Sequence, residues 1–492
     1  MESPIPSAPL SQNSDSQQQA SNTADLRSRE SFWSQPCGIR DVLSVGIPMV
    51  VSTLSYSIMQ FCDRLFLAWH SELEMAAIMP AVILTWTASA LPMGISSYAN
   101  TFVAQYCGSG QQRMVGAIIW NACCFGILFL PVFLLLAFFA GSLFSAFGHS
   151  PALVPLETSY FQIACLGSPA VVIEAAIAAF FIGRGKTMIV MYVSLGATAI
   201  NLLLDWWLIF GIGSIPEMGI QGAAWATTVS VWLKVICYLL LMLRRENRVP
   251  FGLQTGFKLD RRLLGRLFRF GFPSGCQLWL EGLAISLFVL FIGQIGEMEA
   301  AATTIAFSLN LLAFIPVVGM GMSVSILVGE RIGSNEVHLA KRAVRNGMII
   351  SLLYSLFFVV LYLFTPHFFL LAHAAGTQGA HYDGIQSTTV FLLRFVAFYC
   401  LFDCVQIIYS SALRGAGDTR FILVATLFNS VFFVTIGISG SYLIDVSFAL
   451  TWWFSMITGW ILGFAMIFWW RYRAEVWTGM SVIQPDEPMS SN

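Results

Sequence analysis

The feature that most constrains this chain is a stretch it contains twice. Gly46-Ile47-Pro48 recurs 225 residues on as Gly271-Phe272-Pro273. At the same offset Glu72 with Ala76-Ala77 returns as Glu297 with Ala301-Ala302, and Gly94 as Gly319. Gln105 with Gly108-Ser109 becomes Glu330 with Gly333-Ser334. A second echo sets Phe181-Ile182-Gly183-Arg184-Gly185-Lys186-Thr187 against Leu413-Arg414-Gly415-Ala416-Gly417-Asp418-Thr419. A shared apolar bias does not keep glycines and prolines in step, so the chain is two copies of one unit. Gly46 to Ser109 is expected to superpose on Gly271 to Ser334 by a half turn. The match is expected to stop where Gly110 faces Asn335.

The 492 residues are 57% hydrophobic and only 10% charged, where a soluble domain carries about 25% charge. The repeated unit therefore belongs in a membrane. A spanning helix needs about 20 mostly apolar residues. Twelve are predicted, near 40–67, 78–106, 114–140, 157–182, 187–211, 218–243, 263–293, 303–329, 340–365, 386–412, 420–443 and 448–471. The expected fold is an all-α membrane protein in two parallel-repeat lobes of six helices, over 37–243 and 263–472, with a linker at 244–262. Residues 1–36 are polar, lack a signal-peptide core and read as a disordered tail. A second tail is expected over 473–492.

The net charge of −1 offers nothing to a nucleic acid, and the ten cysteines show no zinc spacing. All Lys and Arg except Arg64, Lys234 and Arg394 fall in or beside the tails and the even-numbered connections. Odd-numbered connections such as Gly148 to Glu157 have none. The positive-inside rule places both termini in the cytoplasm. Six helices per repeat is an even number, so both lobes enter from one side. The symmetry axis then lies along the membrane normal, with a substrate path between the lobes.

Arg64, Lys234 and Arg394 lie inside spans, as do the acids Asp63, Glu174, Asp205, Glu281 and Asp403. Each such charge costs about 2.5–3.5 kcal/mol at mid-depth on insertion scales. Acids outnumber bases, so some need a cation, a proton or a hydrogen-bond network. Asn201 and Asp205 share one helix face. Gln60 precedes Asp63 by about one turn, Gln277 precedes Glu281, and Tyr399 precedes Asp403. Static interhelical glue is the plain alternative for each. Lys234 is too deep to reach water easily and is expected to neutralise either Glu174 or Asp205.

Gly46-x-Pro48 leading to Asp63, Ala104-Gln105-x-x-Gly108, Asn201-x-x-x-Asp205, Glu281, and Phe402-Asp403 followed by Leu413-Arg414-Gly415-x-Gly417-Asp418-Thr419 resemble the multidrug and toxic compound extrusion (MATE) family, in its NorM-like branch. The resemblance covers roughly residues 40 to 472. It implies an antiporter in the inner (plasma) membrane, not an enzyme, exchanging Na+ or H+ for organic, often cationic, compounds. Within it Asp63, Asn201 and Asp205, with Gln60 and Thr227, form an amino-lobe cation site, and Glu281, Asp403 and Tyr399 a carboxy-lobe site. Either set is a possible Na+ site. No cofactor is implied beyond the transported ion. The expected partners are the bilayer and a small organic substrate, no nucleic acid, and no second copy of the chain. Pro48 and Pro273 are candidate hinges. Lys186, standing where the second copy has Asp418, departs from the pattern, and Glu174 and Lys234 match nothing in it.

The Gly183-Arg184-Gly185-Lys186-Thr187 run lacks the first glycine of a phosphate loop and follows a membrane helix. Trp279, two residues from Glu281, is a candidate for stacking on a flat cation, with belt or core as the commoner role. A lipid-linked-precursor flippase with the same plan is the alternative function, though such proteins line the cavity with basic residues. An embedded enzyme would need a nucleophile or metal constellation that the chain does not display. Glu281 and Asp403 are expected to approach each other across a cavity.

Overall fold

The computed structural model describes residues 35–483 apart from 212, 214, 215, 258 and 375–379. Residues 1–34 and 484–492, which hold most of both expected polar tails, lie outside the described residues. Twelve described helices are long and apolar enough to cross a membrane. They are α1 (Ile39–His70), α2 (Glu72–Gly108), α3 (Met114–Phe138), α4 (Val154–Ile182), α5 (Thr187–Phe210), α6 (Ile220–Met242), α7 (Arg261–Ile295), α8 (Glu297–Gly333), α9 (Val337–Phe364), α10 (Gly384–Ala416), α11 (Thr419–Ser441) and α12 (Phe448–Arg473). Several outrun the apolar stretches that announce them. In α2 and α8 the extra turns begin with Glu72, Glu74 and Glu297, Glu299, acids that suit the positive end of a helix dipole. The α2 helix pauses at Tyr98, and α3 pauses at Phe129, just before Pro131. Pro48 and Pro273 sit buried inside α1 and α7, each removing one backbone donor.

The lobes meet through exchanged pairs: α1 packs on α8, and α2 packs on α7. A methyl group at Gly108 would collide with the carbonyl of Glu330, and one at Gly333 with the carbonyl of Gln105. Gly94 meets Gly275 while Gly319 meets Val50. Gly46 meets Met320 while Gly271 meets Ile95. Adding 225 to one member of each pair gives its counterpart, so every contact is made twice with roles exchanged, as a two-fold axis requires. The first turns of α1 and α7 and the last turns of α2 and α8 gather at one end of the bundle. The repeats are therefore parallel rather than inverted.

The repeat outlasts its sequence identity. The match does not stop at Ser109 and Ser334: Gly110 (φ 78°) and Asn335 (φ 59°) both turn the chain through the left-handed region. Asparagine is one of the few side chains that tolerates this conformation, so the backbone is preserved where the residue is not. The equivalence reaches α3 and α9 as well. Asn121 Oδ1 accepts from the backbone N–H of Asp260 at 3.1 Å, and Asn346 Nδ2 donates to the carbonyl of Cys37 at 2.9 Å. Each of these asparagines, again 225 apart, holds the segment that leads into the other lobe's first helix.

Among the described residues the hydrogen bonds between lobes all lie at this same end. Tyr98 OH donates to the Arg414 carbonyl (3.0 Å), Gln105 Nε2 to the Gly415 carbonyl (3.0 Å), and Ser323 Oγ to the Val42 carbonyl (2.9 Å). After α12 the chain folds back across the seam. Gln105 Oε1 accepts from Val482 N–H at 2.9 Å and from Ser481 Oγ at 3.0 Å. Val482 and Ile483 join the apolar core of the amino lobe, and Trp477 is fully buried against the carboxy lobe. The bundle is closed at the end bearing the even-numbered connections.

Candidate functional site

The amino-lobe acids meet where α1, α5 and α6 converge. Ser52, Ser55 and Asp63 recur along one stripe of α1, and Ser194, Thr198, Asn201 and Asp205 along one stripe of α5, at the three- and four-residue steps that share a helix face. The stripes face each other. Ser52 Oγ donates to Ser194 Oγ at 2.8 Å, and Ser55 Oγ lies 2.7 Å from Thr198 Oγ1. Above this hydroxyl seam the terminal amide of Asn201 stands between two carboxylates. With its NH2 turned toward them it donates to Asp63 Oδ1 at 3.2 Å and to Asp205 Oδ2 at 3.1 Å. The Thr227 hydroxyl from α6 lies 3.5 Å from Asp63 Oδ2 and 3.5 Å from the other terminal atom of the Asn201 amide.

Asp63 is 2% exposed, and Asn201 and Asp205 are fully buried. Asp205 Oδ1 has no hydrogen-bond partner. A buried oxygen without a partner carries its full desolvation cost, and two buried carboxylates sharing one amide are worse off when both are charged. A proton on either acid, or a small cation among the oxygens of Asp63, Asp205, Asn201 and Thr227, relieves both faults. Two acids are too few for an all-carboxylate cage. Among the described residues no group of three His, Cys, Asp or Glu is arranged as metal ligands. Gln60 stands apart from the cluster, with Nε2 donating to Tyr56 OH at 3.1 Å.

Lys234 joins Glu174, not Asp205: Nζ and Oε1 are 3.0 Å apart. Arg64 and Arg394 are exposed on α1 and α10. The amino-lobe pair is thus left without a permanent cation of its own.

In the carboxy lobe Glu281 and Asp403 do not converge on each other; each is held separately. Gln277 Nε2 donates to Glu281 Oε1 at 2.8 Å, and Arg414 Nη2 donates to Gln277 Oε1 at 3.0 Å. Asp403, 6% exposed, accepts from Gln406 Nε2 at 3.0 Å. No hydrogen bond joins the two acids among the described residues. Ile407 and Ser411 of α10 meet Gly321 of α8, and Gly275 and Gly282 of α7 meet Leu91 and Trp86 of α2. Tyr399 is 1% exposed and packs in the apolar core with Leu309 and Tyr362. Trp279 is partly exposed, at 39%.

The Ser52, Ser55, Ser194 and Thr198 seam is signalled in the sequence only by its helical spacing, and Asn121 and Asn346 only by the same offset of 225.

A family model described as MatE matches residues 48–207 and 273–439, one block in each repeat. Two curated relatives are similar. The multidrug resistance protein NorM of Photobacterium profundum is 25% identical over 388 residues, 79% of this chain and 84% of that protein. The multidrug resistance protein PmpM of Pseudomonas aeruginosa is 26% identical over 424 residues, 86% of each. Among solved structures, that of the eukaryotic MATE transporter AtDTX14 is 18% identical with a TM-score of 0.78, spanning 89% of this chain and 96% of that one. The last comparison establishes the shared fold.

Proposed function

Because the chain belongs to the MatE family, we propose that it is a multidrug efflux antiporter, exchanging Na+ or H+ for small organic compounds. It is a multi-pass membrane protein of a transporter family. In our reading it lies in the inner (plasma) membrane as a monomer, with both termini and the closed end of the bundle in the cytoplasm.

The observation that carries this reading is the orphaned Asp205 Oδ1 beside Asp63 and Asn201. The cluster bridges the bend-prone α1 to α5 and α6. Loading it with a proton or Na+ favours one packing of α1 on α5; unloading it favours another. Coupling requires cargo and cation to prefer different states, because equal affinity for both shifts nothing. One charge crossing 100 mV supplies about 2.3 kcal/mol, a bias of roughly fiftyfold. Glu281 and Asp403, held on separate helices, act as two further stations and not as one joint site. Organic cations suit a pathway in which the buried acids outnumber the buried bases, and Lys234 is already paired.

Dye efflux from vesicles tests this, under a sodium gradient alone and then under a pH gradient alone. One gradient should drive export by the wild type, and Asp63→Asn should abolish it. Efflux that ignores both gradients would overturn the proposal. Lipid flipping is the competing activity. It calls for basic residues facing the central path, and a labelled-lipid assay with no gradient requirement would reveal it.

A further inference from the structure

We propose that the carboxy lobe binds an anionic phospholipid in a groove on the side turned away from the amino lobe. α10 packs on α8, and α8 faces the other lobe. Ile407 and Ser411 of α10 meet Gly321 of α8, while Phe402 and Tyr409, on another face, floor a groove of about 350 Å³. Met348 and Leu352 of α9 form one wall, Met466 and Trp469 of α12 the other. A cleft between helices that opens on the bilayer side is filled by lipid chains. Met466 at 63% and Trp469 at 44% exposure leave it accessible.

Charge selects the headgroup. Arg345 lies one turn before Met348 and two before Leu352, on the same face of α9. Arg473 lies one turn beyond Trp469, its guanidinium 5.1 Å from the centre of the indole ring. Both arginines are exposed, and among the described residues neither is ion-paired. Their neighbours are: Lys341 bonds Glu475 at 2.6 Å and Arg471 bonds Asp418 at 2.7 Å. Two guanidinium groups thus flank the mouth of an apolar groove at the bundle end rich in basic residues. Arginine stems lie along apolar surface while the head reaches the interface, and basic pockets between spanning helices hold anionic headgroups. The rings of Tyr409 and Tyr472, tilted with centroids 4.6 Å apart, lie beside the groove at that level.

The test uses the full chain in nanodiscs of phosphatidylcholine with phosphatidylglycerol, reading the lipid retained after extraction by native mass spectrometry. Binding there reports on the groove whichever way the protein faces in a cell. Wild type should retain phosphatidylglycerol in preference to phosphatidylcholine. The Arg345→Ala/Arg473→Ala variant should lose on the order of thirtyfold of that preference, at about a kilocalorie for each charge. Arg244→Ala/Arg245→Ala, which removes two exposed arginines elsewhere at the same end, should keep it. Phosphatidylglycerol with brominated chains should quench the wild type more than Trp469→Phe. The proposal fails if the first variant keeps the preference, if the second loses as much, if wild type shows none, or if Trp469→Phe leaves quenching unchanged.

Discussion

Lys234 Nζ lies 3.0 Å from Glu174 Oε1, so a lysine on α6 is neutralised by α4 and not by the acids of α5. Glu174→Gln should therefore strand a mostly buried ammonium and cost about 1–3 kcal/mol of stability. Lys234→Met together with Glu174→Gln should recover most of it. Thermal melts in detergent of wild type, single and double variants check this. A single variant as stable as wild type would show that the pair contributes nothing.

That pairing also sharpens the expectation for Asp63. No cation is stranded when Asp63 loses its charge, so Asp63→Asn should fold at normal yield and still bind cargo while gradient-driven export fails. Yield, binding of a fluorescent cation and vesicle efflux together separate this from a structural role. Lost yield would return Asp63 to the scaffold.

The hydroxyl seam between α1 and α5 should act as a tuned contact. Ser55→Ala and Thr198→Val should each cost about 0.6 kcal/mol, the average for interhelical hydrogen bonds in membranes. The double variant should cost less than the sum, since both remove the same 2.7 Å bond. Melting of the two singles and the double forms the cycle.

Closing the end where the lobes meet depends on backbone contact at Gly108 and Gly333. Gly108→Val should hold the lobes apart there, exposing Cys107 to a membrane-impermeant thiol reagent from that side and cutting efflux at least tenfold. Gln105→Ala should do the same more weakly, because it removes the acceptor for Val482 N–H but leaves the packing. Unchanged Cys107 labelling in Gly108→Val would mean that the contact is not a gate.

Much of this was legible in the chain. Apolar length placed the twelve spans, and the offset of 225 fixed the two-fold relation, because glycines at a helix crossing have no substitute. Asn201 and Asp205 were recognisable since one helix fixes their common face. What was not legible depends on azimuth between helices. Gln277 beside Glu281 and Gln406 beside Asp403 follow from single-helix spacing and are bonded as expected, but whether the two acids meet does not. Lys234 had two acids within conceivable reach, and only the packing of α4 on α6 decides between them. Gly110 and Asn335 differ in name but share a conformation, so comparing residue identities ended the repeat too early.

The asparagines that hold Asp260 and Cys37 make the two halves mutually hostage. Each lead-in is moored to the opposite lobe, so parting the lobes at that end must draw two short leashes taut. Their slack sets how far the lobes can swing, which gives the transporter a mechanical stop written into its connections. A half made alone would lack the mooring for its own first helix. A gene cut within the linker should therefore yield working protein only when both fragments are made together and can clasp.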